Sequence, residues 1–236
     1  MKITVMSFNV QHCENFLTHV IDYDVMVEAI RTCGADIIGL NEIRDAGTME
    51  GYEPQVQTLA AKLGYNYYFA KAIDVGTAPN PYGNALLSRF PIRSAQTIPV
   101  PDPERRPGGS RYESRCLLKA DIDVGEGLTV CVCHFGLNPE EQESAVDTVV
   151  ANVEDTRCVM MGDFNVRPAN PVLQPIRDKL FDTADLFEGE RLSWPADVPR
   201  TKIDYLFTTH DLKVLSADIP AIIASDHRPY VAELEL

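Results

Sequence analysis

Residues 157–165 run Arg157-Cys158-Val159-Met160-Met161-Gly162-Asp163-Phe164-Asn165. The apolar run inside this stretch is unbroken and too short for a helix, which is the pattern of a strand buried on both faces. It ends on Gly162, where backbone or ligand can come close, and then on Asp163 and Asn165. A buried strand needs apolar residues along its length. Nothing in strand formation asks for a carboxylate and an amide at its end, and a desolvated carboxylate is costly without a partner. If the strand runs on, the i, i+2 spacing puts both side chains on one face; if it turns, Asn165 caps the turn and Pro168 closes the loop.

The same signature recurs on either side. Lys2–Asn9 alternates as a strand and ends on Ser7-Phe8-Asn9, and Asp36–Leu40 is a short apolar strand followed by Asn41-Glu42. Asn84 opens the strand Asn84–Ser88, His134 sits near the end of Leu128–Phe135, and Asp204 lies inside Lys202–Thr208. Ser225-Asp226-His227 leads into the last strand, Pro229–Leu236. Further strands are expected over Tyr65–Ala70, Ile92–Ile98, Arg115–Val124 and Leu212–Asp218, with a hairpin turn at Gly125-Glu126-Gly127. Helical spacing marks Tyr23–Cys33 with Gly34 as its stop, Pro54–Leu63 before Gly64, Pro139–Val153 and Pro171–Leu180. Strands dominate, helices fall singly between them, and hairpins mix with βαβ crossovers. That order predicts an α/β fold (α+β by some schemes), a four-layer sandwich of two mixed sheets with helices outside.

Bulk properties set limits on what such a sandwich does. The chain has 236 residues, 45% hydrophobic, enough for one large core, and no Ser/Gly/Pro-rich linker or repeat divides it, so a single domain over residues 1–236 is expected. No apolar run reaches the roughly 20 residues of a membrane span. No separate apolar segment and cleavage site follow Met1-Lys2, and six cysteines sit mostly inside apolar patterns, so a reducing, cytoplasmic location is expected. Cys131-Val132-Cys133 lies mid-strand without a second Cys/His pair at zinc spacing, which argues against a metal knuckle. A net charge of −14 repels polyanions at long range and speaks against extended nucleic acid as the partner. No obligate protein partner is evident.

Each polar residue has a bland reading and a chemical one. Glu42 either pairs with Arg44 or serves a hard cation such as Mg²⁺, which takes one or two carboxylates and keeps several waters. Asp204 interrupts an apolar strand and wants a donor. An imidazole such as His227 fits, and the pair would fix the tautomer and favour the imidazolium. His134 at a strand end, Asn84 beside Gly83 and Arg115 before Cys-Leu-Leu are, taken singly, a structural histidine, a turn residue and an ion-paired cation.

Together and in order, these stretches resemble the endonuclease/exonuclease/phosphatase superfamily, the deoxyribonuclease I-like metal-dependent phosphohydrolases. The resemblance rests on Ser7-Phe8-Asn9, Leu40-Asn41-Glu42, Tyr82-Gly83-Asn84 through Ser88-Arg89-Phe90-Pro91, Glu113-Ser114-Arg115, Cys133-His134-Phe135, Gly162-Asp163-Phe164-Asn165, Lys202-Ile203-Asp204-Tyr205 and Ser225-Asp226-His227. Two positions depart from the pattern: Asn41 stands where the family usually has Gln, and Cys133 where it usually has Thr.

The resemblance implies in-line attack of an activated water on a phosphate ester, with Mg²⁺ or Mn²⁺ held by Glu42 and with Asn9 and Asp226 contributing directly or through water. It implies that Asp163 orients or deprotonates the water and that Asn165 bonds a phosphoryl oxygen. His227, oriented by Asp204, would contact the phosphate as imidazolium or act as the base. His134, Arg115 and Asn84 would take the remaining phosphoryl oxygens. A His at position 134 resembles the deoxyribonuclease I and phosphatase branches, and the acidic charge favours a small-molecule or lipid-headgroup phosphate. A nuclease acting on short nucleic acid is the alternative, and a non-catalytic binding module that kept the fold is a third reading. Arg105, Arg106 and Arg111 form a basic loop before Arg115, expected to border the pocket, and Ser193-Trp194-Pro195 is expected to supply an apolar wall.

Overall fold

A computed structural model describes residues 1–236. The first half of the chain folds as β1 (Lys2–Asn9), α1 (Tyr23–Cys33), β2 (Ile37–Arg44), α2 (Gln55–Leu63), β3 (Asn66–Asp74), β4 (Pro81–Ser88) and β5 (Ile92–Pro99). The second half folds as β6 (Cys116–Ile122), β7 (Leu128–Cys133), α3 (Pro139–Asn152), β8 (Cys158–Asp163), α4 (Gln174–Arg177), β9 (Phe181–Asp182), β10 (Asp204–Thr208), β11 (Lys213–Asp218) and β12 (Tyr230–Glu235). One six-stranded sheet has the order β11-β12-β1-β2-β4-β3 and the other β5-β6-β7-β8-β10-β9. Both are mixed: β1 runs parallel to β2, and β7 parallel to β8, while their other pairings are antiparallel.

Strand alternation sorts the apolar residues into three cores. Ile37 and Leu86 face the second sheet, where they join Leu118, Val130, Val132, Val159 and Met161 between the layers. Ile38 and Leu87 point the other way, under Met26 and Ile30 of α1 and Val56 and Leu59 of α2. Cys131, Met160, Tyr205 and Phe207 cover the outer face of the second sheet beneath α3 and α4. Because successive side chains on a strand alternate faces, continuous apolar runs are what a central strand of this sandwich requires. The sheets approach closely at Gly39, where an added Cβ would lie 2.6 Å from Met161 Sδ. Gly162 is confined to φ +147°, and a Cβ there would run into the Cys133 carbonyl oxygen.

Several boundaries differ from the sequence expectation. Pro171–Leu180 is not one helix: a 3-10 turn at Pro171–Leu173 gives way to a single turn, Gln174–Arg177. Pro175 lacks an N–H and is tolerated only in a first turn, so the helix restarts beside it. The last strand begins at Tyr230, and Ser225, Asp226 and His227 occupy the bend before it. The second strand runs four residues beyond Leu40, through a bulge between Leu40 and Ile43. All six cysteines are free and five are buried. No helix is long and apolar enough to cross a membrane.

Candidate active site

The polar strand ends meet at one end of the sandwich. Asn9 closes β1, Asp163 closes β8, and Asp204 opens β10 directly opposite Asp163 in the antiparallel register. His134 follows β7 immediately, and Arg115 precedes β6. The bulge in β2 holds Glu42 at φ +59°, a conformation costly for a non-glycine residue, and re-aims its side chain toward Asn9. Asn165 is also left-handed, at φ +52°, so the strand turns at this point; its N–H caps Asp163 Oδ1 at 2.9 Å.

Asp163 is the hub. Its carboxylate is buried, and Oδ2 accepts from Asn9 Nδ2 at 3.1 Å. The same oxygen lies 3.5 Å from His134 Nε2 and 3.6 Å from His227 Nε2. His227 Nδ1 bonds Asp204 Oδ2 at 2.8 Å, with both groups buried. Burial alone would lower the His227 pKa, but the carboxylates of Asp204 and Asp163 override it and raise the value to about 10. Burial pushes the Asp163 carboxyl well above the usual carboxylate range, and Asp204 adds to this against the pull of His227.

His134 behaves oppositely. Burial, then the Arg115 guanidinium and His227, hold its pKa well below the ordinary value, so the ring is neutral. Arg115 can only donate, and its guanidinium meets Nδ1 at 3.2 Å, while Nε2 faces Asp163. Asn165 Nδ2 donates to the Phe135 carbonyl and lies 3.1 Å from the same Nε2. Arg115 is anchored on its far side by Glu113 at 3.3 Å.

A second cluster adjoins the first. Glu42 Oε1 accepts from Asn9 Nδ2 at 3.0 Å, and the Tyr82 hydroxyl neighbours the same carboxylate, its pKa raised by burial and then by the Glu42 charge. Asn9 thus bridges Glu42 and Asp163, while its Oδ1 receives the Gln11 N–H at 3.1 Å. Glu42 does not pair with Arg44, whose guanidinium reaches the Gly51 carbonyl and stacks over Tyr52. Asp226 Oδ2 is 4.0 Å from His227 Nε2, and its carboxyl is raised by burial and by the negative charge of Glu42 against the pull of His227. Two neighbouring carboxylates whose hydrogen-bond donors are neutral form a donor set that suits a hard divalent cation. Asp163, Asp204 and His227 also lie within 4.8 Å of one another, with the His227 imidazole placed between the two carboxylates.

Asn84 is 2% exposed and directs its amide nitrogen at the Cys116 carbonyl, 2.9 Å away. Arg106 pairs with Asp102 and Arg111 with Glu113, so those cations are matched by acids of their own loop. Trp194 is 40% exposed, and its indole lies against Asp226. Sequence reasoning missed the contacts of Tyr82 and Asn41 with the site, and it missed Lys202, whose buried ammonium sits 3.4 Å from the centre of the Tyr205 ring. Tyr82 and Lys202 stand two residues from Asn84 and Asp204, and that adjacency was the available signal. A groove of about 330 Å³ opens beside Arg115, with Lys71, Thr97, Asp102 and Ser114 in its walls.

A family model described as "Endonuclease/Exonuclease/phosphatase family" matches residues 6–227. Solved structures share the fold. An endonuclease/exonuclease/phosphatase from Beutenbergia cavernae DSM 12333 superposes at TM-score 0.81 with 23% identity, covering 100% of this chain and 72% of that one. A Bacteroides vulgatus endonuclease/exonuclease/phosphatase gives 0.78 and 21%, covering 100% and 99%. The mannosyl-6-phosphatase of Bacteroides thetaiotaomicron VPI-5482 gives 0.76 and 16%, covering 99% and 100%. Among curated proteins, none matches this chain.

Proposed function

The chain belongs to the endonuclease/exonuclease/phosphatase family, and from that premise we propose that it hydrolyses a phosphate ester of a small molecule or lipid headgroup by in-line attack of water. The observation that carries the reading is Asp163: a buried carboxylate ringed by Asn9, His134 and His227, one residue deep from the paired acids Glu42 and Asp226.

Glu42 and Asp226 would hold Mg²⁺ or Mn²⁺, with Asn9 keeping Glu42 in register with Asp163. The bound cation would supply charge neutralisation at the phosphate and leaving oxygen. Asp163 takes the water proton at Oδ2; its raised pKa brings it closer to working pH, where a general base is most effective. His227 is already protonated and cannot accept that proton. It acts instead as an imidazolium donor to a phosphoryl oxygen, kept charged and aimed by Asp204. Asn165 Nδ2 and Arg115 supply further donors, with the neutral His134 ring between them. The groove is at the small end of ligand cavities and carries two cations, Lys71 and Arg115, which favours a compact substrate over a polymer.

The test is release of p-nitrophenol from bis(p-nitrophenyl) phosphate and p-nitrophenyl phosphate with Mg²⁺, Mn²⁺ or EDTA. Metal-dependent release should fall by at least about 10²-fold in Asp163→Asn and in His227→Ala. The diester/monoester ratio would then define the substrate type, and an oligonucleotide and phosphoinositide panel would narrow it. No release from any ester, with Mg²⁺ still raising the melting temperature, would replace hydrolysis by simple binding.

A further inference from the structure

A chain of buried amides crosses the sandwich beneath the site. Asn41 of β2 is fully buried, and its Oδ1 accepts the backbone N–H of Asp163 at 2.9 Å. Its Nδ2 donates to Asn84 Oδ1, on β4, at 2.8 Å. Asn84 Nδ2 in turn donates to the Cys116 carbonyl at 2.9 Å and meets Cys116 Sγ at 3.7 Å. The relay therefore starts on one sheet at β8, runs through two strands of the other sheet, and returns to the first at β6. The core below it is apolar, and apolar contact is non-directional; these hydrogen bonds, with that of Asn9 to the Asp163 carboxylate, fix the sheets laterally where Asp163 emerges.

The relay also uses up Asn84. A primary amide has two N–H donors and one oxygen acceptor. The nitrogen is turned to Cys116, against its carbonyl and sulfur, and the oxygen to Asn41, so the amide faces the seam between the sheets rather than a phosphoryl oxygen. Asn41, one methylene shorter than a glutamine, is in reach of both Asp163 N and Asn84 without touching the carboxylate.

We infer that Asn41 and Asn84 are positioning residues that fix Asp163 through this relay, and that Asn84 makes no contact with the phosphoryl group. The inference rests on the reading of Asp163 as the group that handles the attacking water. Removing either amide strands a buried partner: Asn84→Ala leaves Asn41 Nδ2 and the Cys116 carbonyl unpaired, and Asn41→Ala leaves the Asp163 N–H unpaired. Members of one hydrogen-bond chain couple, so the double variant should lose little more than the worse single one.

Two readouts test it. The first needs no turnover: amide hydrogen exchange at Asp163, followed by NMR. Exchange should quicken in Asn84→Ala although residue 84 does not touch Asp163; unchanged protection would overturn the relay whether or not the protein is a hydrolase. The second is kinetic. Asn84→Ala should lower kcat by about 10–100-fold, with KM and the inhibition constant of inorganic phosphate within about twofold of wild type. A rise of tenfold or more in both constants at unchanged kcat would make Asn84 a phosphate contact and overturn the inference. Asn84→Ser keeps a hydroxyl that can accept and donate, and reads the same split if the alanine variant does not fold.

Discussion

Two acidic regions sit side by side in this site and are balanced differently. Asp163 is enclosed: Asn9, His134 and His227 surround one oxygen, the Asn165 N–H caps the other, and the imidazolium partner is held by Asp204. Glu42 and Asp226 are more open, and their hydrogen-bond partners are neutral: Asn9 for Glu42 and Ser225 for Asp226. The first region carries its own counter-charge. The second has only the edge of that imidazolium, 4.0 Å from Asp226, which leaves Glu42 without a cation until one arrives from solution. Removing a charge should therefore harm the empty protein in the first region and relieve it in the second.

Glu42→Gln gives the largest expected effect. Hydrolysis should fall by about 10²–10³-fold, and the rise in melting temperature on adding Mg²⁺ should vanish. In EDTA the variant should melt no lower than wild type, because Asp226 loses its repelling neighbour. A metal-free variant that melts well below wild type, yet still responds to Mg²⁺, would erase the distinction between the regions.

Asp204→Asn probes the other side and should be smaller in activity, about 10-fold to 10²-fold, but visible in stability without metal. His227 has its folded-state pKa raised to about 10 from an ordinary 6.5. A raised pKa means that the folded state binds the proton more tightly, so the stability it contributes is complete below about pH 6.5 and is lost as pH climbs through about 10. The melting gap between wild type and Asp204→Asn in EDTA should be widest near pH 6 and narrow steadily toward pH 10. A gap independent of pH would mean that Asp204 does not act through the imidazolium.

The same contrast governs how much was legible in the sequence. Asp163, Asp204 and His227 announce themselves because a charged residue beside an apolar strand has few bland explanations, and the sandwich follows from strand periodicity and single intervening helices. Glu42 was readable as an acid after a strand, but its placement in a bulge was not: a left-handed glutamate has no sequence signature, and only pairing with β4 forces the register shift. Asn84 reads as a turn residue beside Gly83, and its partners became apparent only once the sheets faced each other across Gly39. The basic loop reads as pocket-lining on charge alone, whereas Asp102 and Glu113 take two of its cations locally. A charge that needs a counter-charge, such as Asp204 and His227, was visible even across the seam; neutral amides that act only through one another were not.

Tyr82→Phe gives the smallest effect and the sharpest comparison. The Tyr82 hydroxyl is pushed up in pKa by burial and by the neighbouring Glu42 charge, so it stays protonated beside the carboxylate it is expected to orient. Phenylalanine keeps the packing and removes only that hydroxyl. A ligand released from its orienting partner binds metal more weakly, typically by about 10-fold or more, while the bound geometry can still be reached at higher metal concentration. A Mg²⁺ titration of hydrolysis should therefore shift to higher concentration with nearly the same plateau. Asp163 and its donors are untouched by the change, so a lowered plateau would mean that the two regions are one unit, coupled through Asn9, rather than neighbours with separate charge balances.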